Sequence, residues 1–338
     1  MARLAAEPPC GLRSGMTASP QTILVYVGLD RFGDGLMKLP FVRALRATWP
    51  DARITWLAGK GTTVYGGGLR GLVDGLIDEV VQEAGIGLAA RELMARPLPG
   101  RHFDLILDTQ RRALTSLVLR RIRHDRFVSG SAGWLLSDAR PAAKTKPAAM
   151  IRQMLDLIEA ASGRAVEPFR AVLAVDAIAE HEAARALPEG PRYVGLAPGA
   201  GDRRKCWPLE NFIALAKGLD APVILLGPEE TEWLARLRAA LPQARFPLQD
   251  APPGLDPGLS IALARRLVVT VANDAGIGHL FAAGDCPMIS LFGPTPAAKF
   301  APFATRLTLI EAQKFGGEEM TRIPVEAVAR AVAFHLTD

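Results

Sequence analysis

Short, nearly continuous apolar runs separated by stretches of helical periodicity organise most of this chain. Residues 22–27 form the first such run. The turn 28–35 follows, and apolar positions then recur at helical spacing to about Trp49, where Pro50-Asp51 stops them. Residues 54–57, 78–81 and 103–107 read as further strands, and 111–121 and 148–161 as helices. The pattern restarts at 193–196, crosses a Gly-rich turn into a helix over 209–219, and continues with a strand at 223–226 and a helix at 231–241. Two more buried strands, 267–271 and 288–292, enclose a turn and a short helix. Strands that are apolar throughout, alternating with helices, predict parallel sheets covered on both faces.

The repetition of this grammar predicts an α/β protein of two doubly wound domains facing each other across a cleft. The first covers 22–175 and the second 193–324. Residues 176–192 form a linker in which Ala/Glu-rich helix gives way to Leu187-Pro188-Glu189-Gly190-Pro191. A final amphipathic helix over 325–338 is expected to lie back across the domain boundary. Residues 1–21 read as a disordered leader without the apolar core of a signal peptide, and Met16 stands just ahead of the first strand as an alternative start.

At 338 residues, 49% of them hydrophobic, the chain can bury two cores of ordinary size. Its net charge of +5 favours acidic partners: phosphates, nucleic acid or an anionic membrane face. Basic and aromatic residues are not interleaved as on a base-stacking surface, which argues against nucleic acid. The three cysteines, Cys10, Cys206 and Cys286, lack metal or disulfide spacing and fit a cytoplasmic protein. No apolar run reaches the ~18 residues of a membrane-spanning helix.

Candidate chemistry gathers at the carboxyl ends of strands, where open parallel sheets bind ligands. The sharpest cluster is Asn273-Asp274-Ala275-Gly276-Ile277-Gly278-His279. Amides of a helix beginning near Gly276 would aim donors and a positive dipole end at an anion, with Asp274 and His279 flanking the turn. A simple helix cap needs neither Gly276 nor Gly278 inside the turn. Asp34, between Gly33 and Gly35, suits either a helix cap or a carboxylate in close reach of substrate. In Gly199-Ala200-Gly201-Asp202-Arg203-Arg204-Lys205-Cys206-Trp207-Pro208 three cations follow a flexible turn. Trp207-Pro208 anchors the loop and fixes Lys205, while Arg203 and Arg204 suit a solvated surface. Glu229 and Glu230, after Gly227-Pro228, could accept from ribose hydroxyls or complement a helix dipole. The sequence has no Asp-x-Asp pair, Walker spacing, dinucleotide fingerprint or G-x-S-x-G elbow. No metal and no cofactor is expected, and Lys205 with helix amides must neutralise any diphosphate.

Taken together these clusters resemble glycosyltransferase family 9, the ADP-heptose:lipopolysaccharide heptosyltransferases. The resemblance runs in order along residues 22–330. It is carried by ILVYVGLDRFGDGLMKLPFVRALRATWPDARITWL, FDLILDTQRRALTSLVLRRIR, VGLAPGAGDRRKCWPLENFIALAKGL, NDAGIGHLFAAGDCPMISLFGPT and MTRIPVEAV. It implies a GT-B fold and metal-independent, inverting transfer of a heptose. The donor, ADP-heptose, belongs on the second domain, and a lipid-linked glycan acceptor at the inner membrane surface belongs on the first. It also implies that Asp34 is the base and that Lys205 meets the diphosphate. Asp274, Gly276 and His279 match the nucleotide turn, and Glu229 or Glu230 the ribose contact. Three departures stand out: Ala275 where relatives carry Thr or Ser, Gly201-Asp202 before the lysine, and Arg111-Arg112 where "GN" is usual. Two alternatives stay open: a GT-B transferase using another nucleotide sugar, and a nucleotide-binding protein that has lost transfer.

Overall fold

The computed structural model describes residues 19–337 except 31, 88, 144, 168–172, 174 and 255–256. Most of the expected leader thus lies outside the described residues. The first half contains β1 (Thr22–Val27), α1 (Phe32–Thr48), β2 (Arg53–Ala58), β3 (Glu79–Val81), β4 (His102–Asp108), α2 (Ala113–Leu119), β5 (Arg123–Ser129) and α3 (Met150–Ser162). The second contains α4 (Ala177–Ala186), β6 (Val194–Ala197), α5 (Leu209–Lys217), β7 (Pro222–Ile224), α6 (Leu234–Ala240), α7 (Pro247–Asp250), α8 (Gly258–Ala264), β8 (Val269–Asn273), α9 (Gly276–Ala283), β9 (Met288–Phe292), α10 (Ala297–Phe300), β10 (Leu307–Glu311) and α11 (Val325–Thr337).

All strand pairs are parallel, in two five-stranded sheets ordered β3-β2-β1-β4-β5 and β10-β9-β8-β6-β7. Central strands such as β1, β8 and β9 are buried along nearly their whole length because helices cover both faces. Strand order reverses between β1 and β4 in the first sheet and between β6 and β8 in the second. At such reversals adjacent turns diverge to opposite faces and leave a crevice. The turns after β1 and β4 flank one crevice, and those after β6 and β8 the other.

Two differences from the sequence pattern concern packing. The expected linker contains α4, whose Ala179 and Ala183 are fully buried, with Leu187, among Leu225, Leu259 and Leu263 of the second domain. Apolar spacing makes α4 one wall of that core. The last helix does not cross the boundary: α11 packs on α5, β8 and β9, and Val328 and Val332 are buried there.

The domains meet along α1 and α9. Leu280 of α9 and Ile261 of α8 share one apolar cluster with Leu36 and Leu39 of α1. At the amino ends of the two helices the backbones touch. A Cβ built on Gly276 would stand 3.3 Å from Gly33 Cα and 3.5 Å from Phe32 Cδ1. Gly276→Val should therefore prise the helix starts apart, at about 1–3 kcal/mol of overpacking strain. Urea unfolding and small-angle scattering should show lower stability and a wider particle. A variant as stable and compact as the parent would contradict this contact.

Candidate functional site

The turn after β1 is built before Asp34 is reached. Asp30 is buried and accepts from Lys38 Nζ, Trp56 Nε1 (3.2 Å) and Thr63 Oγ1 (3.1 Å). These bonds tie the turn to β2 and to the first turns of α1. Asp34, half-buried in the first turn of α1, opens onto a cleft of about 750 Å³. The walls include Asp108, Gln110, Arg111 and Lys146 from the first domain and Pro296 and Lys299 from the second.

Asp108 is a site residue that the sequence pattern does not single out. It ends β4 and is 1% exposed. Its Oδ2 accepts from Ser116 Oγ (2.6 Å) and Ser129 Oγ (2.8 Å), and its Oδ1 from the Gln110 amide (2.8 Å). Burial pushes the carboxyl up to about 6, against the pull of those hydrogen bonds. Asp108 thus fastens the β4 turn to α2 and to the end of β5, and so fixes the wall that presents Gln110 and Arg111.

In the second domain, Asn273 closes β8 and pins the loop that follows β6. Its Oδ1 accepts from the Trp207 amide (3.0 Å), and its Nδ2 donates to the Pro198 carbonyl (2.8 Å). The Trp207 ring is buried and donates to the Ile323 carbonyl (2.9 Å). The anchored loop carries Lys205, whose Nζ donates to Asp274 Oδ2 at 2.7 Å. Thr295 Oγ1, on the turn after β9, donates to the same oxygen at 2.6 Å. Arg203 pairs with Glu232 and stacks on Trp233. Asp202 caps the 3-10 turn, accepting from the Arg204 amide, and pairs with the Arg204 side chain. Asp202 is thus engaged locally on the surface, and of the three cations Lys205 is the one held at Asp274.

Ala275 is the residue preceding α9, extended at φ −146°, and its methyl supplies no capping oxygen. The Gly278 amide closes back on the Ala275 carbonyl (3.1 Å), which leaves the amides of Gly276 and Ile277 as the donors a helix start places outside itself. Gly278 packs inward, where a Cβ would stand 3.3 Å from Met288. Glu229 is exposed, whereas Glu230 is buried and accepts from the Gly227 amide at 2.9 Å. A Cβ at Gly199 would collide with the Glu230 carboxyl, so these glycines make room for it, and burial raises its pKa.

His279 joins the two halves. Loss of hydration lowers its pKa from 6.5 to about 4, opposed by the negative charges of Asp274 and Asp34. The imidazole is neutral at pH 7, within electrostatic reach of one carboxylate from each domain. The described residues include one cluster with metal-ligand spacing, His102, Asp104 and Asp125. It lies at the amino ends of β4 and β5, the opposite end of the sheet from the cleft.

The profile described as "Glycosyltransferase family 9 (heptosyltransferase)" matches residues 91–322. Among solved structures, the glycosyl transferase family 9 protein of Veillonella parvula is similar at a TM-score of 0.70 and 18% identity, covering 94% of this chain and 97% of that one. E. coli heptosyltransferase WaaC with ADP is similar at 0.65 and 19% identity, over 93% of this chain and 99% of its own. E. coli ADP-heptose lps heptosyltransferase II gives 0.63 and 20%, over 94% and 98%. No curated protein matches the chain. The two parallel-sheet domains are those of the GT-B heptosyltransferase structures.

The raised pKa of Asp108 sets a stability profile. A carboxyl whose folded value exceeds its unfolded value contributes fully below the unfolded pKa, and that contribution is lost as pH rises through about 6. His279 works the other way: its folded value is depressed, so its contribution is lost as pH falls from 6.5 towards 4. Between pH 7 and 4.5 the parent should gain about 2 kcal/mol relative to Asp108→Asn, read from urea unfolding at both pH values. A difference that does not change with pH would show that Asp108 titrates as an ordinary exposed carboxylate.

Proposed function

The chain belongs to glycosyltransferase family 9 and is a glycosyltransferase, and we propose that it moves a heptose from ADP-heptose to a lipid-linked glycan acceptor of the lipopolysaccharide-core type. The observation that carries this reading is the close approach of the two helix starts, where a Cβ on Gly276 would stand 3.3 Å from Gly33 Cα. With Asp34 next to Gly33 and Asp274 two residues before Gly276, that approach sets the Lys205–Asp274 turn of one domain against the Asp34 cleft of the other. A donor diphosphate on one side and an acceptor hydroxyl on the other would meet there. The use of ADP-heptose is supported by the E. coli WaaC structures, which hold ADP and ADP-2-deoxy-2-fluoro heptose.

The diphosphate fits against Lys205 and the amides of Gly276 and Ile277, with neutral His279 donating a further hydrogen bond. The buried carboxylate of Glu230, at the carboxyl end of the same sheet, is the better placed of the two acids for ribose hydroxyls. The acceptor enters the cleft along Gln110 and Arg111, and Asp34 takes the proton of its attacking hydroxyl. The oxygen displaces the nucleotide diphosphate in one inverting step. Charge growing on the leaving group is met by Lys205, His279 and the helix donors, fixed in advance by Asn273 and Asp274. This supply of cation and amide donors, with no Asp-x-Asp pair in the sequence, supports transfer without a divalent metal. Work at the cytoplasmic face of the inner membrane belongs to the same reading. No helix among the described residues is long and apolar enough to cross a membrane.

The test is turnover of ADP-heptose, in EDTA, by the parent and by Asp34→Asn. Activity should survive chelation, and the substitution should lower kcat by roughly 10²–10⁴, the usual scale of base catalysis, with ADP affinity nearly intact. Near-normal turnover by Asp34→Asn would remove the base, and activity restored only by Mg²⁺ or Mn²⁺ would overturn the metal-free diphosphate site.

A further inference from the structure

The positive charge of this chain is concentrated in one stretch. Residues 89–149 hold twelve Lys and Arg against five Asp and Glu, whereas the rest of the chain holds 28 against 30. The whole excess of cations therefore lies in the segment that contains β4, α2 and β5.

The same segment carries large apolar side chains turned to solvent. Met94 is 89% exposed, Leu135 74%, Leu117 41% and Leu114 38%. Met94 ends the 3-10 turn Ala90–Met94, and Leu135 follows the 3-10 turn Ser131–Trp134. Both turns pack against α2. The helix itself is two-sided. Val118 and Leu119 are buried with Phe103 and Phe127, while Leu114 and Leu117 lie one turn apart on the outer side, with Arg121 one turn further. Arg91, Arg112 and Arg121 are exposed and enter no ion pair among the described residues. By contrast, the half-buried Arg120 is held by Asp138 at 3.0 Å. The helix begins at the cleft, since its N-terminal neighbour Arg112 follows Gln110 and Arg111 of the cleft wall.

We propose that this face, α2 with the two turns packed on it, docks the protein on an anionic lipid bilayer. Leu114, Leu117 and Met94 enter the headgroup boundary, and Arg91, Arg112 and Arg121 pair with lipid phosphates. Charge complementarity selects this occupant. Apolar side chains set among unpaired arginines match a surface that is anionic outside and apolar just beneath, whereas an apolar patch alone would suit a protein partner. The position of the face gives docking a purpose. A lipid-linked acceptor could reach Asp34 along the Gln110–Arg111 wall without leaving the membrane. The assignment rests on the transferase reading for that purpose, but not for the binding itself.

Cosedimentation with vesicles tests it, using phosphatidylglycerol and phosphatidylcholine in equal parts against phosphatidylcholine alone. The parent should bind the anionic vesicles at low salt and leave them at high salt. The double variant Leu114→Ser, Leu117→Ser should lower partitioning roughly tenfold or more. Arg112→Glu with Arg121→Glu should reduce it to the phosphatidylcholine level. Met94→Ser, on a separate turn, should weaken binding in the same direction. All variants should keep the parent's thermal shift with ADP, which reports the folded donor domain. The proposal is overturned if the parent ignores anionic vesicles, binds both kinds equally, or is unaffected by the leucine and arginine changes. Binding to RNA or an acidic protein in place of vesicles would overturn it too. If vesicles bind as expected but ADP-heptose is not turned over, the docking face stands and the transferase reading falls.

Discussion

One carboxylate oxygen, Asp274 Oδ2, accepts hydrogen bonds from Lys205 on the turn after β6 and from Thr295 on the turn after β9. Its neighbour Asn273 clamps the same β6 loop through Trp207 and Pro198. Three strand-end turns, far apart in the sequence, are thereby held around the start of α9. A lysine on a flexible loop would lose up to about 2 kcal/mol of side-chain entropy on meeting a ligand. Here most of that ordering is already accomplished by folding. The pair is not a stability device in itself, because desolvation offsets much of the attraction between partly buried charges. Its consequence is placement: a cation and two helix amides converge where a diphosphate would sit.

Parallel topology explains why the chemistry gathers there. Each sheet reverses its strand order once, and each reversal opens a crevice at the carboxyl ends of its two central strands. Asp34 and Asp108 follow from β1 and β4, Lys205 and Asp274 from β6 and β8. Packing α1 on α9 then turns the crevices towards each other, and the approach of Gly33 to Gly276 sets how closely. The apolar contact of Leu36 and Leu39 with Leu280 holds the domains together behind the site. The relative placement of the two crevices thus derives from one interface.

Much of this was legible in the sequence because buried parallel strands announce themselves. β1, β2, β8 and β9 are apolar almost without interruption, and Gly or Asp marks the turn after each. Two of the four edge strands, β5 and β10, escaped notice for a physical reason. β5 reads RHDRFVS and only its second half is buried, while β10, LTLIE, has a single buried residue. Neither has the continuous apolar signature of a strand covered on both sides. The helix at 111–121 proved shorter, Ala113–Leu119, since Arg112 is already extended ahead of it and Arg120 closes it. The clusters at Asp34, Lys205 and Asp274 could be found from local turn grammar. Asp108 could not, since its role depends on Ser116 and Ser129, whose approach only the fold creates. The distinction between Glu229 and Glu230 likewise needed Gly199, some thirty positions earlier, to be seen against the carboxyl.

The central claim is that the second domain holds the nucleotide diphosphate and the first presents the base. A crystal structure of the protein soaked with ADP tests it most directly. The account predicts the β-phosphate between Lys205 Nζ and the amides of Gly276 and Ile277, with Asp34 facing it across the cleft. A diphosphate seated instead against Arg111 and Lys146 of the first domain would contradict it.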